Sequence, residues 1–141
     1  MKKVDTNLVL HYRSRSDAFL LGMQLLSEDP VHYGHSVALL AVHTVISLAD
    51  AVLIGCTGYR SNEQDHRTAV DAMRKLCGSR GVDPVGLTHF DWLVQRKTDF
   101  AYGERSLHPD RDIGMAKVHA ERFAGWAYRN FREIARQGVE P

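Results

Sequence analysis

The chain has 141 residues, of which 44% are hydrophobic and 25% are charged, and its formal net charge is +1. These values are typical of one soluble globular domain that is long enough to bury a core without disulfides or structural metals. The near-zero net charge excludes the strongly basic composition by which many nucleic-acid-binding domains are recognised.

The segment 37–56 is the longest apolar run of the chain, and it is about long enough to span a bilayer. Its middle carries His43 and Asp50, and ionisable groups are costly inside a membrane, so we interpret the run as a buried core helix. The N-terminus has no apolar signal core. Cys56 and Cys77 fit no metal-ligand spacing and favour a reducing compartment. We therefore expect a cytoplasmic protein with no membrane span and no cofactor.

The hydrophobic periodicity predicts five helices and no strand within a single domain 1–141, in which residues 1–7 form an N-terminal arm. Short connections favour antiparallel neighbours, as in an up-and-down bundle. The predicted helices cover residues 8–27, 30–57, 64–77, 84–102 and 110–137.

Residues that start and stop helices set these limits. Asp29 and Pro30 suit the start of the second helix, and Gly58 suits its end. A capping box from Ser61 to Gln64 is expected to open the third helix, and Gly78 to end it. Asp83-Pro84 and Gly103 are expected to bound the fourth helix, and Pro109 and Gly138 the fifth.

The second helix is apolar on almost all sides, which predicts a helix buried in the centre of the bundle. His43 and Asp50 are seven residues apart, so two helical turns bring them to one face. Buried ionisable groups need partners, and they mark either a structural network or a functional site. His32 and His35 are one turn apart in the exposed first turns, remote from the carboxylate of Asp50, and we predict no metal site.

The fourth helix carries a cation on its apolar stripe. Phe90, Leu93, Lys97 and Phe100 follow helical spacing, so Lys97 is expected to face the core. Two interpretations are open. Lys97 or Arg96 forms an ion pair with Asp50, or Lys97 extends its aliphatic stem along the core to water.

The segment from Arg60 to Arg67 is rich in cations and precedes the third helix. Backbone N–H groups at a helix start favour anions. His66, flanked by Arg60 and Arg67, is therefore a candidate phosphate ligand or general acid–base. The alternative is a solvated, charged helix cap.

The order of these features resembles the HEPN superfamily of small all-α domains. The resemblance covers about residues 10–136 and rests on His35-Ser36-x6-His43-x6-Asp50-Ala51 in the second helix, Asp65-His66-Arg67 at the third, and Leu93-x3-Lys97-Thr98-x3-Tyr102 in the fourth. It implies a four-helix up-and-down core and frequent homodimers. Many members are metal-independent endoribonucleases with an Arg-x(4–6)-His motif, and others have lost catalysis. The resemblance also implies toxin or antitoxin roles with small nucleotidyltransferase partners.

The chain departs from that motif, because Lys97-x4-Tyr102 stands where the resemblance would place Arg-x4-His. Tyr102, with an unperturbed pKa near 10, is a poor base at neutral pH. Arg60-x5-His66 has the required spacing, but it lies earlier in the chain.

We accordingly expect a non-catalytic nucleotide- or RNA-binding module that is one half of a toxin–antitoxin-like pair. We also expect this module to form a homodimer. Its ligand-binding residues are expected to be Asp50, Lys97, Tyr102, His43 and Arg96. The first alternative is a metal-independent ribonuclease with His66 as general base and Arg60 or Arg96 stabilising the phosphorane. The second is a purely structural dimerisation domain.

Overall fold

The protein is an all-α helical bundle in the computed structural model, which describes residues 1–61 and 66–135. Over these residues the chain forms five α-helices and one pair of two-residue strands. The helices are α1 (Val9–Leu26), α2 (Pro30–Thr57), α3 (His66–Arg80), α4 (Leu87–Tyr102) and α5 (Met115–Asn130), and the strands are β1 (Lys2–Lys3) and β2 (Tyr59–Arg60). The predicted fold class is confirmed.

α2 is the central helix, and its predicted limits are confirmed at both ends. The carboxylate of Asp29 accepts a hydrogen bond from the backbone N–H of His32 at 3.3 Å, and Pro30 occupies the first turn. Gly58 ends the helix in the left-handed conformation, with φ of 79°, and its N–H donates to Ile54 O at 2.9 Å. A non-glycine residue would be strained at this position.

The apolar surface of α2 is covered by the other helices. α1 packs along it, and α4 and α5 pack against it from other sides. Phe90 of α4 and Phe123 of α5 are fully buried with ring centroids 5.1 Å apart. By length and composition α2 could cross a membrane, but 78% of its most apolar 18-residue window is buried among these helices. That burial is the environment expected of a core helix.

The expectation that the chain contains no strand is wrong at the N-terminal arm. Lys2 and Lys3 pair antiparallel with Arg60 and Tyr59, and Val4 N–H donates to Gly58 O at 3.0 Å. Two-residue strands are too short to show a period-two pattern, so the sequence carries no signal for them. The pairing fixes the segment that follows α2.

Two helix ends differ from prediction. α3 continues through Gly78 to Arg80, and Gly81, with φ of 67°, ends it instead. Gly78 adopts helical geometry, because a glycine without a positive φ does not by itself stop a helix. The predicted Ser61–Gln64 capping box lies partly outside the described residues.

α5 ends at Asn130 rather than at 137, and residues 136–141 lie outside the described part of the chain. Phe131 is extended, with φ of −129° and ψ of 99°, and a short 3₁₀ turn, Arg132–Ile134, follows it. Both Phe131 and Ile134 are fully buried, as predicted. The break lets the chain turn across the end of the core.

The limits of α4 follow the predicted signals more closely. The Asp83 carboxylate caps a 3₁₀ turn at Pro84–Gly86 by accepting from Val85 N–H at 3.1 Å, and α4 follows directly. Gly103 closes α4 and donates its N–H to Asp99 O at 2.9 Å. A π-helical segment at Pro109–Gly114 precedes α5.

Candidate functional site

A cleft of about 400 Å³ opens between α1, α2, α4, the start of α3 and the segment around β2. Five of the residues predicted for a site line it, although they are separated by up to 54 positions in the chain. The lining side chains are Tyr12, Arg15, Phe19, His43, Ile46, Ser47, Asp50, Arg60, Ser61, His66 and Lys97. Its volume is in the range of small-molecule binding sites.

Two helices contribute matched rows of side chains to the cleft. On α1 these are Tyr12, Arg15 and Phe19, at i, i+3 and i+7, a spacing that places them on one face. On α2, His43 and Asp50 are also seven residues apart. The sequence analysis missed the α1 row, although its helical spacing was a readable signal.

Asp50 anchors the segment that follows β2. The carboxylate is 5% exposed, and its Oδ1 accepts from the backbone N–H of Ser61 at 3.1 Å and from the Ser61 hydroxyl at 2.7 Å. Burial raises the pKa of Asp50, while the bonds from Ser61 and the charges of Arg60 and Arg15 oppose that rise. Since both Ser61 bonds end on Oδ1, Oδ2 is the oxygen that can accept from a ligand in the cleft.

His43 lies between an aromatic ring and a cation. Its ring centroid is 5.6 Å from that of Phe19. Burial, and secondarily the positive charge of Lys97, lower the pKa of His43 from its ordinary value of 6.5. The imidazole is therefore mainly neutral at pH 7, with one nitrogen able to donate and the other able to accept.

Two arginines approach the same aromatic ring from different parts of the chain. The Arg15 guanidinium carbon is 5.1 Å from the Tyr12 ring centroid, and that of Arg60 is 5.9 Å away. Arg15 Nη2 also lies 2.7 Å from His11 Nε2, and Arg60 Nη1 donates to Ser61 O at 3.2 Å. Among the described residues that line the cleft, these two arginines and Lys97 are the cations and Asp50 is the carboxylate.

The ion pair considered for Asp50 is not formed. Within residues 1–61 and 66–135, no salt bridge joins Asp50 to Lys97 or to Arg96, and the carboxylate is held by Ser61 instead. Lys97 is half-buried and reaches the cleft along the α4 surface, which agrees with the alternative interpretation.

Tyr102 and Arg96 lie outside the cleft. Tyr102 is 81% exposed at the end of α4, since five helical residues turn it about 140° from Lys97. Arg96 stacks on the Trp92 ring, with its guanidinium carbon 3.9 Å from the centroid, and donates to Trp92 O at 2.9 Å. Both were predicted as ligand-binding residues, and the structure assigns neither to this site.

His32 and His35 are exposed, and His32 Nδ1 lies 2.7 Å from the Asp29 carboxylate. No three His, Cys, Asp or Glu side chains gather into an arrangement that could hold a metal ion in the part of the chain that the structure describes. The side chains that line the cleft can form hydrogen bonds, pair with charges and transfer protons.

None of the models of known protein families matches the sequence, and no curated protein gives a significant sequence match. The resemblance to HEPN domains stays a prediction.

Proposed function

We propose that the protein is a binding module for a nucleotide or a short stretch of RNA, and that the cleft holds its phosphate. The observation that carries this proposal is the convergence of Arg15, Arg60 and Lys97 on one concave site that also contains imidazoles. Guanidinium and ammonium groups are the side chains that recognise phosphate.

The remaining lining suits the rest of a nucleotide. Tyr12 and Phe19 offer aromatic faces, which bases stack on regardless of sequence. Oδ2 of Asp50 can accept from a ribose hydroxyl or a base amino group. A volume of about 400 Å³ accommodates one nucleotide unit.

Calorimetric titration with nucleoside monophosphates and a short single-stranded RNA tests the proposal. Lys97→Gln and Arg15→Gln should each weaken binding about tenfold, because each removes a charge-assisted hydrogen bond to phosphate. Arg74→Gln is the matched control, since Arg74 is exposed on α3 and is absent from the cleft lining. The proposal fails if no ligand binds, or if Lys97→Gln and Arg74→Gln bind alike.

A metal-independent ribonuclease is the second candidate, favoured by the presence of His43 and His66 in the same cleft as Arg60. One imidazole would accept the 2′-hydroxyl proton as the 2′-oxygen attacks phosphorus. The other would protonate the departing 5′-oxygen, leaving a 2′,3′-cyclic phosphate, and Arg60 would stabilise the phosphorane.

RNA cleavage in the presence of EDTA separates the two functions. A ribonuclease should lose cleavage in His66→Ala and in His43→Ala, and keep it in Tyr102→Phe, because Tyr102 lies outside the cleft. Binding without cleavage by the folded wild-type protein, over several RNAs, supports the non-catalytic module.

We also propose that the protein forms a homodimer through the outer face of α1. Leu10, Leu21 and Leu25 are 57%, 58% and 66% exposed, and they share a stripe with Ser14 and Ala18. This stripe lies opposite the buried face of α1. Exposed apolar stripes of this kind are typical of protein interaction surfaces.

The charges beside the stripe favour a second copy of the chain in antiparallel orientation. His11 and Arg15 flank its N-terminal half, and Glu28 follows its C-terminal end. A two-fold axis near Ala18 would place Leu10 against the partner's Leu25 and Glu28 about one helical turn from the partner's His11. The nucleotidyltransferase partner and the toxin–antitoxin role stay predictions of the resemblance.

Sedimentation velocity tests the dimer, with Leu21→Glu expected to give a monomer and Tyr102→Glu, at another exposed apolar position, expected to change nothing. Oxidative cross-linking tests the orientation. Ala18→Cys should cross-link across the axis, whereas Leu25→Cys should not, because antiparallel helices hold those positions about 20 Å apart. A monomeric wild type, or cross-linking at position 25 alone, contradicts the proposal.

A further inference from the structure

A second concave surface of about 360 Å³ lies between the start of α4 and α5. We call it the α4–α5 groove, and it shares no lining residue with the cleft. One imidazole, two guanidinium groups and one carboxylate contribute to it. Its lining residues are Val85, Gly86, His89, Glu121, Arg122, Gly125, Trp126 and Arg129.

The imidazole of the groove is held by a buried second imidazole. Nδ1 of His89 lies 2.8 Å from Nδ1 of His119, which is 9% exposed. His119 stacks on Trp92 with ring centroids 4.4 Å apart. The Arg96 guanidinium also lies over the Trp92 ring. His119 is therefore fixed in position. Since Nδ1 of His89 is occupied, its Nε2 is the nitrogen that faces a ligand in the groove.

The hydrogen bond between the imidazoles restricts their protonation. One Nδ1 must donate and the other must accept. When His119 donates, His89 carries its proton on Nε2 and presents an N–H to the groove. A protonated His89 instead donates from both nitrogens, and His119 then accepts. Both of these arrangements present an N–H to an acceptor such as a phosphate oxygen, whereas a neutral His89 that donates from Nδ1 presents a lone pair instead.

The charge of the groove also favours an anion. Burial, and secondarily the charge of Arg122, lower the pKa of His89, and both side chains line the groove. The Arg129 guanidinium runs close to the α5 backbone at Gly125, where a Cβ would lie 3.2 Å from Nη1. A larger residue at 125 would crowd this guanidinium.

The single carboxylate of the groove is engaged by groups that do not line it. Glu121 Oε2 accepts from Gln24 Nε2 at 3.0 Å, and Oε1 lies 3.4 Å from Lys117 Nζ. Its charge is thus partly balanced by Lys117, and the two arginines keep an excess of positive charge in the groove.

We propose that the α4–α5 groove is an anion site for a phosphate group, bound by Arg122, Arg129 and the Nε2–H of His89, with His119 as a positioning residue. The phosphate belongs to free phosphate, to a nucleotide or to an RNA backbone, which share the same oxygen acceptors. The site is separate from the cleft and does not depend on the cleft's function.

Ring-proton NMR of the folded full-length protein tests this site at constant ionic strength. Inorganic phosphate, uridine monophosphate and the dinucleotide UpU are titrated in parallel, which distinguishes free phosphate, monoester and diester. We expect a saturable shift of the His89 signals with at least one of them. Arg122→Gln should weaken the binding about tenfold, and Arg132→Gln, an exposed change outside the groove, should not.

Two further variants separate this proposal from the alternatives. Lys97→Gln should weaken ligand binding in the cleft and leave the shift of the His89 signals unchanged. The groove is therefore tested independently of whether the cleft binds a ligand. His119→Phe keeps a ring against Trp92 but removes the Nδ1 partner, so it should weaken binding and alter the tautomer signature of the His89 ring nitrogens. The proposal is overturned if no ligand shifts His89, or if Arg122→Gln and Arg132→Gln respond alike.

Discussion

The cleft and the α4–α5 groove both combine cations with imidazoles, but they are built in different ways. Four helices and the segment around β2 supply the cleft, and the bond between Asp50 and Ser61 ties that segment to α2. The groove is supplied by the turn before α4, by α4 and by α5, and its base is the packed contact of Gly86 with Trp126. The cleft therefore depends on a polar anchor, whereas the groove depends on close packing.

The largest effect is expected where packing holds the groove. In Gly86→Ala the new Cβ would overlap the buried Trp126 indole, whose Nε1 donates to Asp83 O at 3.1 Å. A rigid ring bonded at one end cannot easily move aside, so we expect the free energy of unfolding to fall by about 3 kcal/mol. Urea denaturation followed by circular dichroism measures this change.

Gly78→Ala is the matched control for that substitution. Gly78 lies inside α3, and a Cβ there meets nothing within 4 Å. Alanine should therefore raise the free energy of unfolding by roughly 0.5–1 kcal/mol, because it favours the helix. Equal losses at both positions would show that the contact with Trp126 does not determine the cost.

The hydrogen bonds between Asp50 and Ser61, which anchor the cleft, are expected to contribute less to the free energy of unfolding than the packing of Gly86 does. Asp50→Ala leaves the N–H and hydroxyl of Ser61 buried without their acceptor, which should cost about 1–3 kcal/mol. Asp50→Asn keeps an oxygen acceptor and removes a buried charge, so its cost should stay below about 1 kcal/mol. Thermal and urea unfolding of both variants at pH 7 provide the comparison.

The contrast between the two variants distinguishes anchoring from charge. If Asp50→Asn is as destabilising as Asp50→Ala, the negative charge beside Arg15 and Arg60 stabilises the site, and the hydrogen bonds to Ser61 are secondary. If both are harmless, the segment after β2 is held by other contacts.

Features of the fold that depend on local chemistry could be predicted from the sequence, whereas those that depend on tertiary contacts could not. The ends of α2 follow from local chemistry at Asp29, Pro30 and Gly58, which is why the fold class and the central helix were predicted closely. The presence of His43 and Asp50 on one face follows from the helical period alone. Both features need no knowledge of tertiary contacts.

The partner of Asp50 could not be predicted in this way. Ser61 reaches Asp50 only because β1 pairs with β2 and directs the chain back toward α2, which is a tertiary arrangement. The error at Tyr102 was avoidable, since the helical period already separates it from Lys97. The stacking of Arg96 on Trp92 was also accessible, because the two are four residues apart.

The smallest effect on the free energy of unfolding is expected from acid titration. This titration allows one histidine of the cleft, His43, to be compared with the two at the groove, His89 and His119. Burial is the main cause that lowers the pKa of His43, His89 and His119 in the folded protein from the ordinary value of 6.5. The unfolded chain therefore binds more protons below that pH. The stability that these neutral imidazoles contribute is fully present above about pH 6.5. It is lost as the pH falls through the lowered pKa values of the folded protein.

We expect the free energy of unfolding to decrease by about 1 kcal/mol between pH 7.5 and pH 5.5, as measured by urea denaturation at closely spaced pH values. Asp112 and Glu133, with pKa values of about 2, stay ionised over this range and do not contribute. The raised pKa of Asp50 acts in the opposite direction, since the folded protein then binds the extra proton, and the Asp50→Asn background removes that contribution.

Two variants in that background assign the pH dependence to a region. His89→Gln should flatten it more than His43→Gln, because it also removes the hydrogen-bond partner of His119 and one of the charges that lower the pKa of His119. A larger effect of His43→Gln would mean that the cleft, with Lys97 beside the imidazole, resists protonation more strongly than the paired histidines do. In that case the open, polar site and not the packed one would govern how the protein responds to acid.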